Sequence, residues 1–264
     1  MARAPREFDK YWYYRRAVQA PDVDCEFFYT TYKELRGARA RSLREDFCGT
    51  FAICCEWVRR HRENQAVGID LDNEPLDYGV TNYLSQLTRN QQHRIQVVRD
   101  NVLTADVPKV DMVIALNFSY YFFKSRLLLR RYFSMARKGL KPDGVFIVDC
   151  FGGKDCQSQI EEKTRIGNFF YYWDQTGFDP VTNEALFYIH FKRKGERKRE
   201  KVFTYDWRMW TIPEIREVMR EAGFRRTHVY WEGTTRTGRG DGIFKRVQKG
   251  EECDAWVAYV VGEK

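Results

Sequence analysis

The chain lacks long hydrophobic runs, paired cysteines and abundant histidine. Within its 264 residues no apolar stretch approaches the roughly 20 residues that a membrane-spanning helix needs. The seven cysteines include no Cys-x-x-Cys pair and the four histidines are scattered, so we expect neither a disulfide framework nor a metal site. Residues 1–10 are charged and precede no apolar segment, which predicts a cytoplasmic protein without a secretory signal.

Phosphate-binding signatures are also missing. Neither a P-loop nor a three-glycine dinucleotide motif occurs, which disfavours ATP and NAD as ligands. The net charge of +8 is concentrated in residues 192–201 and 234–249, so the rest of the chain is close to neutral. We interpret both segments as solvated loops rather than as a nucleic-acid surface.

From residue 40 onward, short apolar segments alternate with helical patterns. Strands are predicted at 40–46, 65–71, 95–100, 110–116 and 145–150, with helices at 50–62, 74–87 and 126–137. Such alternation predicts a parallel sheet that is covered by helices on both faces.

The alternation stops after residue 151. Strands at 169–173, 185–193 and 201–208, joined by turns, predict an antiparallel insertion. A capping box at Thr211 and Glu214 starts a helix that runs to residue 222. Two last strands, near 227–231 and 254–261, would complete a seven-stranded, doubly wound Rossmann-like α/β sheet.

Polar residues mark the ends of the first three strands. The loop EDFCGTF, residues 45–51, joins the first strand to its helix, and Asp70 and Asp100 end the next two strands. Doubly wound sheets bind their ligands at the carboxyl ends of the strands, where free backbone amides and helix N-termini face the ligand. The three strand ends therefore predict one binding site.

This loop resembles motif I of class I S-adenosylmethionine-dependent methyltransferases, an acid, one residue and then Gly-x-Gly-x-Gly. Glu45 matches the acid, and only the central glycine, Gly49, is kept, because Phe47 and Phe51 replace the outer two. We expect both rings to point away from the ligand into the packing between sheet and helix. An altered site would instead favour a non-catalytic cofactor-binding or interaction protein.

The resemblance implies S-adenosylmethionine as cofactor and S-adenosylhomocysteine as product. It places Asp70 on the ribose hydroxyls, Asp100 and the residues after it on the adenine, and the loop after strand four beside the methionine moiety. The cofactor-binding residues that it implies are Tyr14, Glu45, Phe47, Cys48, Gly49, Thr50, Asp70, Leu71, Asp100, Asn101, Val102, Asn117, Phe118 and Ser119.

The order of segments is similar to that of small-molecule N-methyltransferases of the aminosugar and glycine/sarcosine groups. It divides a single domain into a helical lid (1–38), a cofactor-binding core (39–150), a substrate-side insertion (151–210) and the end of the core sheet (211–264). A small-molecule amine is then the expected acceptor, and a homodimer is left open. The alternative is an RNA or protein methyltransferase that is guided by residues 192–201 and 236–249.

Methyl transfer from a sulfonium needs positioning and exclusion of water more than strong bases. Tyr14, with Tyr11 and Tyr13, is a candidate lid residue over the cofactor, and Tyr14 is also a catalytic candidate. His190, in the middle of an insertion strand, is the candidate general base. An aromatic roof could hold a cationic amine, and a guanidinium could pair with a substrate carboxylate. The candidate substrate residues are Tyr120, also a catalytic candidate, Tyr171, Trp173 and Arg208. Packing in the insertion core is the alternative role.

Overall fold

The computed structural model describes Pro5, residues 7–235 and residues 240–264. Seven α-helices occur in this part of the chain: α1 Lys10–Ala17, α2 Pro21–Arg36, α3 Ala52–Arg60, α4 Asn73–Asn82, α5 Arg89–Gln92, α6 Arg126–Lys138 and α7 Ile212–Glu221. The strands are β1 Ser42–Asp46, β2 Gln65–Asp70, β3 Ile95–Arg99, β4 Val110–Ala115, β5 Leu140–Gly152, β6 Ile160–Ile166, β7 Phe169–Asp179, β8 Glu184–Arg193, β9 Arg199–Arg208, β10 Arg226–Thr234, β11 Gly240–Val247 and β12 Trp256–Glu263.

The strands form two sheets. The larger sheet has the order β11-β10-β12-β5-β4-β1-β2-β3, and the smaller sheet has the order β6-β7-β8-β9. In the larger sheet β5, β4, β1, β2 and β3 run parallel. Strand β12 runs antiparallel to both of its neighbours, β5 and β10, so β10 has the direction of the parallel strands, and the outermost strand β11 runs antiparallel to β10. The smaller sheet is antiparallel throughout. The predicted doubly wound α/β fold with an antiparallel insertion is confirmed.

The buried strand β4 shows why the sheet is covered on both sides. Met112 and Ile114 face the core that α2 and α3 cover, whereas Val113 and Ala115 face the core beneath α6 and α7. Because side chains alternate along a strand, both faces of an apolar run are buried here. This arrangement directs every parallel strand toward one common edge, where the loops after β1, β2, β3 and β4 meet.

The predicted strand count was wrong. Within the described residues the larger sheet has eight strands, because residues 240–247, expected to be part of a glycine-rich basic loop, pair as β11 with β10. Lys245 and Arg246 lie on this outermost strand, and charged side chains are typical of an unpaired sheet edge. The insertion also gains β6, which pairs with β7. Residues 236–239 of the basic segment lie outside the described residues.

The described part of the chain contains no helix that is both long and apolar enough to cross a membrane.

Candidate active site

The loop after β1 makes a tight turn at the edge of the sheet. Phe47, Gly49 and Phe51 all have positive φ angles, of 56°, 52° and 42°. The turn is closed by hydrogen bonds from the Cys48 N–H to the Ile69 carbonyl (3.0 Å) and from the Phe51 N–H to the Cys48 carbonyl (2.7 Å). No atom lies within 4 Å of the position that a Cβ on Gly49 would take. A ligand can therefore approach the backbone at Gly49 closely.

The two phenylalanine rings of this loop point away from that open space. Phe51 is completely buried, and its ring fills the space beside Gly79 on α4. The Phe47 ring packs edge-on against Phe123 (5.9 Å between centroids) and Tyr132 (5.4 Å). Their side chains therefore belong to the packing between sheet and helices and do not block the edge of the sheet.

Asp70 joins the ends of β1 and β2. One carboxylate oxygen accepts the Gly49 N–H at 2.7 Å, and the other accepts the Asp72 N–H at 3.0 Å. The next residue, Leu71, is 61% exposed, which leaves an apolar side chain beside a polar strand end. The free lone pairs of the Asp70 carboxylate are suited to accept hydrogen bonds from ribose hydroxyl groups, and the exposed Leu71 side chain is suited to contact the base.

Glu45, the acid of the loop motif, is buried under the loop. Its carboxylate accepts the Cys54 N–H at 3.2 Å and contacts the Cys54 thiol at 3.1 Å. Burial raises the pKa of Glu45 to about 8, and the hydrogen bonds from Cys54 oppose that rise. Glu45 thus faces the first turn of α3. Cys48 and Thr50 are also buried.

The residues after β3 form a capped turn. Asp100 accepts the Asn101 N–H at 2.6 Å, and the Asn101 side chain accepts the Leu103 N–H at 2.9 Å. Val102 is buried. These bonds fix the turn at the same edge of the sheet as Asp70, because β2 and β3 are neighbouring parallel strands.

The loop after β4 is held by a residue that sequence reasoning missed. The Asp149 carboxylate on β5 accepts the N–H groups of Asn117 (2.7 Å) and Phe118 (2.9 Å), and both donors have positive φ angles, of 54° and 58°. Burial raises the pKa of Asp149 to about 7, and the two N–H bonds oppose the rise. Ser119 donates its hydroxyl to the Leu116 carbonyl. An acid inside an apolar strand was the only sequence signal.

A cavity of about 370 Å³ lies between this loop and the smaller sheet. Its aromatic wall comes from helix α1, from strand ends of the larger sheet and from the smaller sheet. Three carboxylates, but no lysine or arginine, are among its described lining residues: Asp155, Glu162 and Glu232. The rings are those of Tyr14, Phe118, Phe151, Tyr171, Trp173, Tyr205, Trp207 and Trp256.

Helix α1 covers this cavity with only some of its tyrosines. Tyr14 lines the cavity, and its hydroxyl lies close enough to that of Tyr205 for each to influence the pKa of the other. Burial raises the pKa of Tyr14 to about 12. Tyr13 instead packs between Phe169 and Phe191 in the core under the lid. Tyr11 packs against Tyr78 of α4, with 4.9 Å between the ring centroids, and burial and the nearby Glu74 raise its pKa.

Three of the six residues predicted to be catalytic or substrate-binding lie away from the cavity. Tyr120 is completely buried and donates its hydroxyl to the Asp149 carbonyl at 2.8 Å. Arg208 stacks on Trp210 (3.9 Å) and donates to the Lys124 carbonyl (3.0 Å). The Tyr120 hydroxyl and both terminal nitrogens of Arg208 have partners within the protein, and neither residue lines the cavity.

The third, His190, occupies the opposite face of the smaller sheet. Its neighbour Ile189 lines the cavity, and successive strand residues face opposite sides. The His190 Nδ1 accepts the Lys201 N–H at 2.7 Å, so a neutral ring carries its proton on Nε2, 3.0 Å from Asp174. The nearby Glu161 is paired with Lys198. These contacts account for His190 as a hydrogen-bonded buried residue, and the structure does not bring it to the cavity.

The basic segment 192–201 forms the turn between β8 and β9. Glu196 pairs with Arg193 at 2.8 Å and approaches Arg199 at 3.6 Å. Glu196 therefore compensates part of the positive charge of this segment.

The fold is that of S-adenosylmethionine-dependent methyltransferases. One similar solved structure is such an enzyme from Clostridium acetobutylicum ATCC 824, with 18% identity, a TM-score of 0.68 and coverage of 95% of this chain and 96% of that chain. CalS10, an amino pentose methyltransferase from Micromonospora echinaspora involved in calicheamicin biosynthesis, has 16% identity, a TM-score of 0.65 and coverage of 98% and 99%. The sugar N-methyltransferase KedS8 from Streptoalloteichus sp. ATCC 53650 has 15% identity, a TM-score of 0.64 and coverage of 100% and 96%.

No protein-family model matches the sequence, and a search of curated proteins found no match either.

Proposed function

We propose that the chain transfers a methyl group from S-adenosylmethionine to an amine nitrogen of a small molecule. The observation that carries this proposal is the cavity beside the β4 strand end, which is lined by aromatic rings and carboxylates and by no described cationic side chain. Rings attract cations through their π faces, and carboxylates attract them by charge. Among possible methyl acceptors, an amine is the one that carries a positive charge before reaction, because it arrives as an ammonium ion.

The edge of the larger sheet fits the cofactor. Gly49 leaves open space above the backbone, Asp70 offers carboxylate oxygens for hydroxyl groups, and Leu71 offers an exposed apolar side chain for a base. Asp70 would hold the ribose, and the loop at Asn117 and Phe118 would border the methionine end. The cofactor supplies an already activated methyl group on its sulfonium.

The remaining chemistry is positioning. Tyr14, Tyr171 and Trp173 form a wall that orients the acceptor and keeps water away, which favours an in-line displacement. The carboxylates of the wall attract the ammonium form, and they are also the groups that can receive its proton before attack. A neutral amine then needs no strong general base. The similarity to an amino pentose methyltransferase and a sugar N-methyltransferase supports a nitrogen acceptor.

Two measurements test this proposal. Thermal unfolding is recorded with and without S-adenosylhomocysteine, and a ligand at 100 times its Kd should stabilise the protein by about 2.7 kcal/mol. Transfer of labelled methyl groups is then measured on small cyclic amines, on the matched cyclic alcohols and on total RNA. We expect labelling of amines alone. The absence of stabilisation at millimolar ligand, or labelling of only alcohols or RNA, would contradict the proposal.

A further inference from the structure

The loop after β4 has an unusual backbone. Asn117 and Phe118 are consecutive residues with positive φ, a conformation in which a side chain's Cβ crowds the backbone. Both line the cavity, and they stand at the strand end where the cofactor and the acceptor would meet. The orientation of Asn117 and Phe118 therefore determines the shape of the wall between the cofactor and the acceptor.

One carboxylate holds both backbone groups. Asp149 presents Oδ2 to the Asn117 N–H at 2.7 Å and Oδ1 to the Phe118 N–H at 2.9 Å. The side chain is buried, with 7% exposure, and sits on the rigid strand β5 between β4 and β12. Both oxygens act as acceptors, as an ionised carboxylate allows, and hydrogen bonds to an ionised acceptor are stronger than those between neutral groups. Above the raised pKa of about 7, this pair can therefore offset the unfavourable backbone conformation.

We propose that Asp149 is a positioning residue for methyl transfer, which orients the Asn117–Phe118 wall without touching either reactant. This inference rests on the proposed function. Displacement on a methyl group requires the nucleophile and the sulfonium to lie in line, and a displacement of about 1 Å can cost roughly a hundredfold in rate. A residue that fixes the wall should therefore act on the rate of the bound complex more than on its formation.

The test uses Asp149→Asn, because an amide keeps the size of the side chain but offers one oxygen and a competing N–H donor. The chain contains a control in Asp111, which lies at the start of β4, at the end of the strand opposite the cavity. Its Oδ2 accepts the N–H groups of Arg41 (2.8 Å) and Ser42 (2.8 Å) at the start of β1. Asp111→Asn makes the same change in charge and size at a distance from the cavity, and its remaining oxygen can still accept both N–H groups.

With the best amine from the panel above, Asp149→Asn should lower kcat about tenfold to a hundredfold, with a much smaller change in KM. Asp111→Asn should keep the wild-type kcat. Stabilisation by S-adenosylhomocysteine shows that each variant is folded. Equal kcat values in the two variants, or a change confined to KM, would overturn the inference.

Amide hydrogen exchange at Asn117 and Phe118 provides a readout that needs no acceptor. Loss of the carboxylate should speed exchange at these two amides by about tenfold in Asp149→Asn, and not in Asp111→Asn. Unchanged exchange rates at these two amides would show that Asp149 does not hold the loop. If the wild-type protein methylates no amine, the proposed function fails, while the exchange measurement still decides what Asp149 does.

Discussion

The two sheets present groups to a ligand in different ways. At the edge of the larger sheet, the strand ends offer backbone N–H groups and a few carboxylates, such as Asp70, in positions that the parallel topology fixes. The smaller sheet offers one broad face, on which rings such as Tyr171, Trp173 and Tyr205 stand side by side. The first surface is defined by backbone geometry and the second by side-chain identity.

This difference separates two recognition tasks. An edge built from backbone geometry tolerates large sequence changes, which is consistent with a shared fold at 15% to 18% identity. A face built from rings changes with each substitution. We therefore propose that the cofactor binds at the edge of the larger sheet and that the insertion selects the acceptor. The following predictions test that assignment.

The largest expected effect is at the strand-end acid. Asp70→Ala removes the carboxylate proposed for the ribose and leaves the Gly49 N–H without its partner. The stabilisation of about 2.7 kcal/mol expected from S-adenosylhomocysteine at 100 times its Kd should be almost abolished. Thermal unfolding with and without the ligand measures this change.

Asp77→Ala is the control, because Asp77 is an exposed carboxylate on the neighbouring helix α4 and the variant has the same change in charge. It should keep the full stabilisation. Retention of the stabilisation in Asp70→Ala would place the cofactor away from β2. It would contradict the proposal that the larger sheet binds the cofactor and the smaller sheet the acceptor.

The second prediction concerns the strand-end acid that does not face the edge. The folded-state pKa of Glu45, about 8, lies above its ordinary value, so the folded protein favours the protonated form. The stability that this proton contributes is complete at low pH and is lost as pH rises toward 8. Between pH 6 and pH 8 the free energy of unfolding should fall about 2 kcal/mol more in the wild type than in Glu45→Gln.

Denaturant unfolding at the two pH values measures the difference between the slopes. Asp149 and Asp24 also have raised pKa values, but they are present in both proteins, so the comparison isolates Glu45. Glu63→Gln, on the surface, should keep the wild-type slope. Parallel slopes for the wild type and Glu45→Gln would show that Glu45 is ionised and accessible at the edge.

The sequence was sufficient to locate the strand-end residues because topology makes spacing informative. Once strands and helices alternate, the ends of β1, β2 and β3 must meet at one edge, and Gly49 and Asp70 do meet there. It could not show which way each side chain points. Glu45 matches the motif but turns under α3, and Asp149 supports the site from within a strand that reads only as buried.

The insertion was less predictable, because a shift of one residue moves a side chain to the other face of a strand. Tyr171 and Trp173 are on the cavity face, as the proposed roof requires, whereas His190 and Arg208 are on the other side. Both faces of the predicted insertion strands carry apolar and polar residues, so the sequence pattern did not identify the buried face.

The eighth strand of the larger sheet was missed because glycines and basic residues are typical of loops.

The smallest expected effect is at His190, and it tests the face assignment directly. His190→Gln weakens the hydrogen bonds to the Lys201 N–H and to Asp174 behind the cavity wall. We expect a loss of about 1 kcal/mol in the free energy of unfolding, since a glutamine replaces these bonds only in part. Because Ile189 separates this face from the cavity, kcat for the best amine should stay near the wild-type value.

Trp173→Phe is the companion variant on the cavity face, where the same assay should show a raised KM because a smaller ring contacts the acceptor. A fall in kcat of a hundredfold or more in His190→Gln, with unchanged stability, is the size expected for loss of a general base. That result would place the chemistry on the far face of the insertion. A stability change alone, with KM altered only in Trp173→Phe, would confirm that the two faces of one sheet have separate roles.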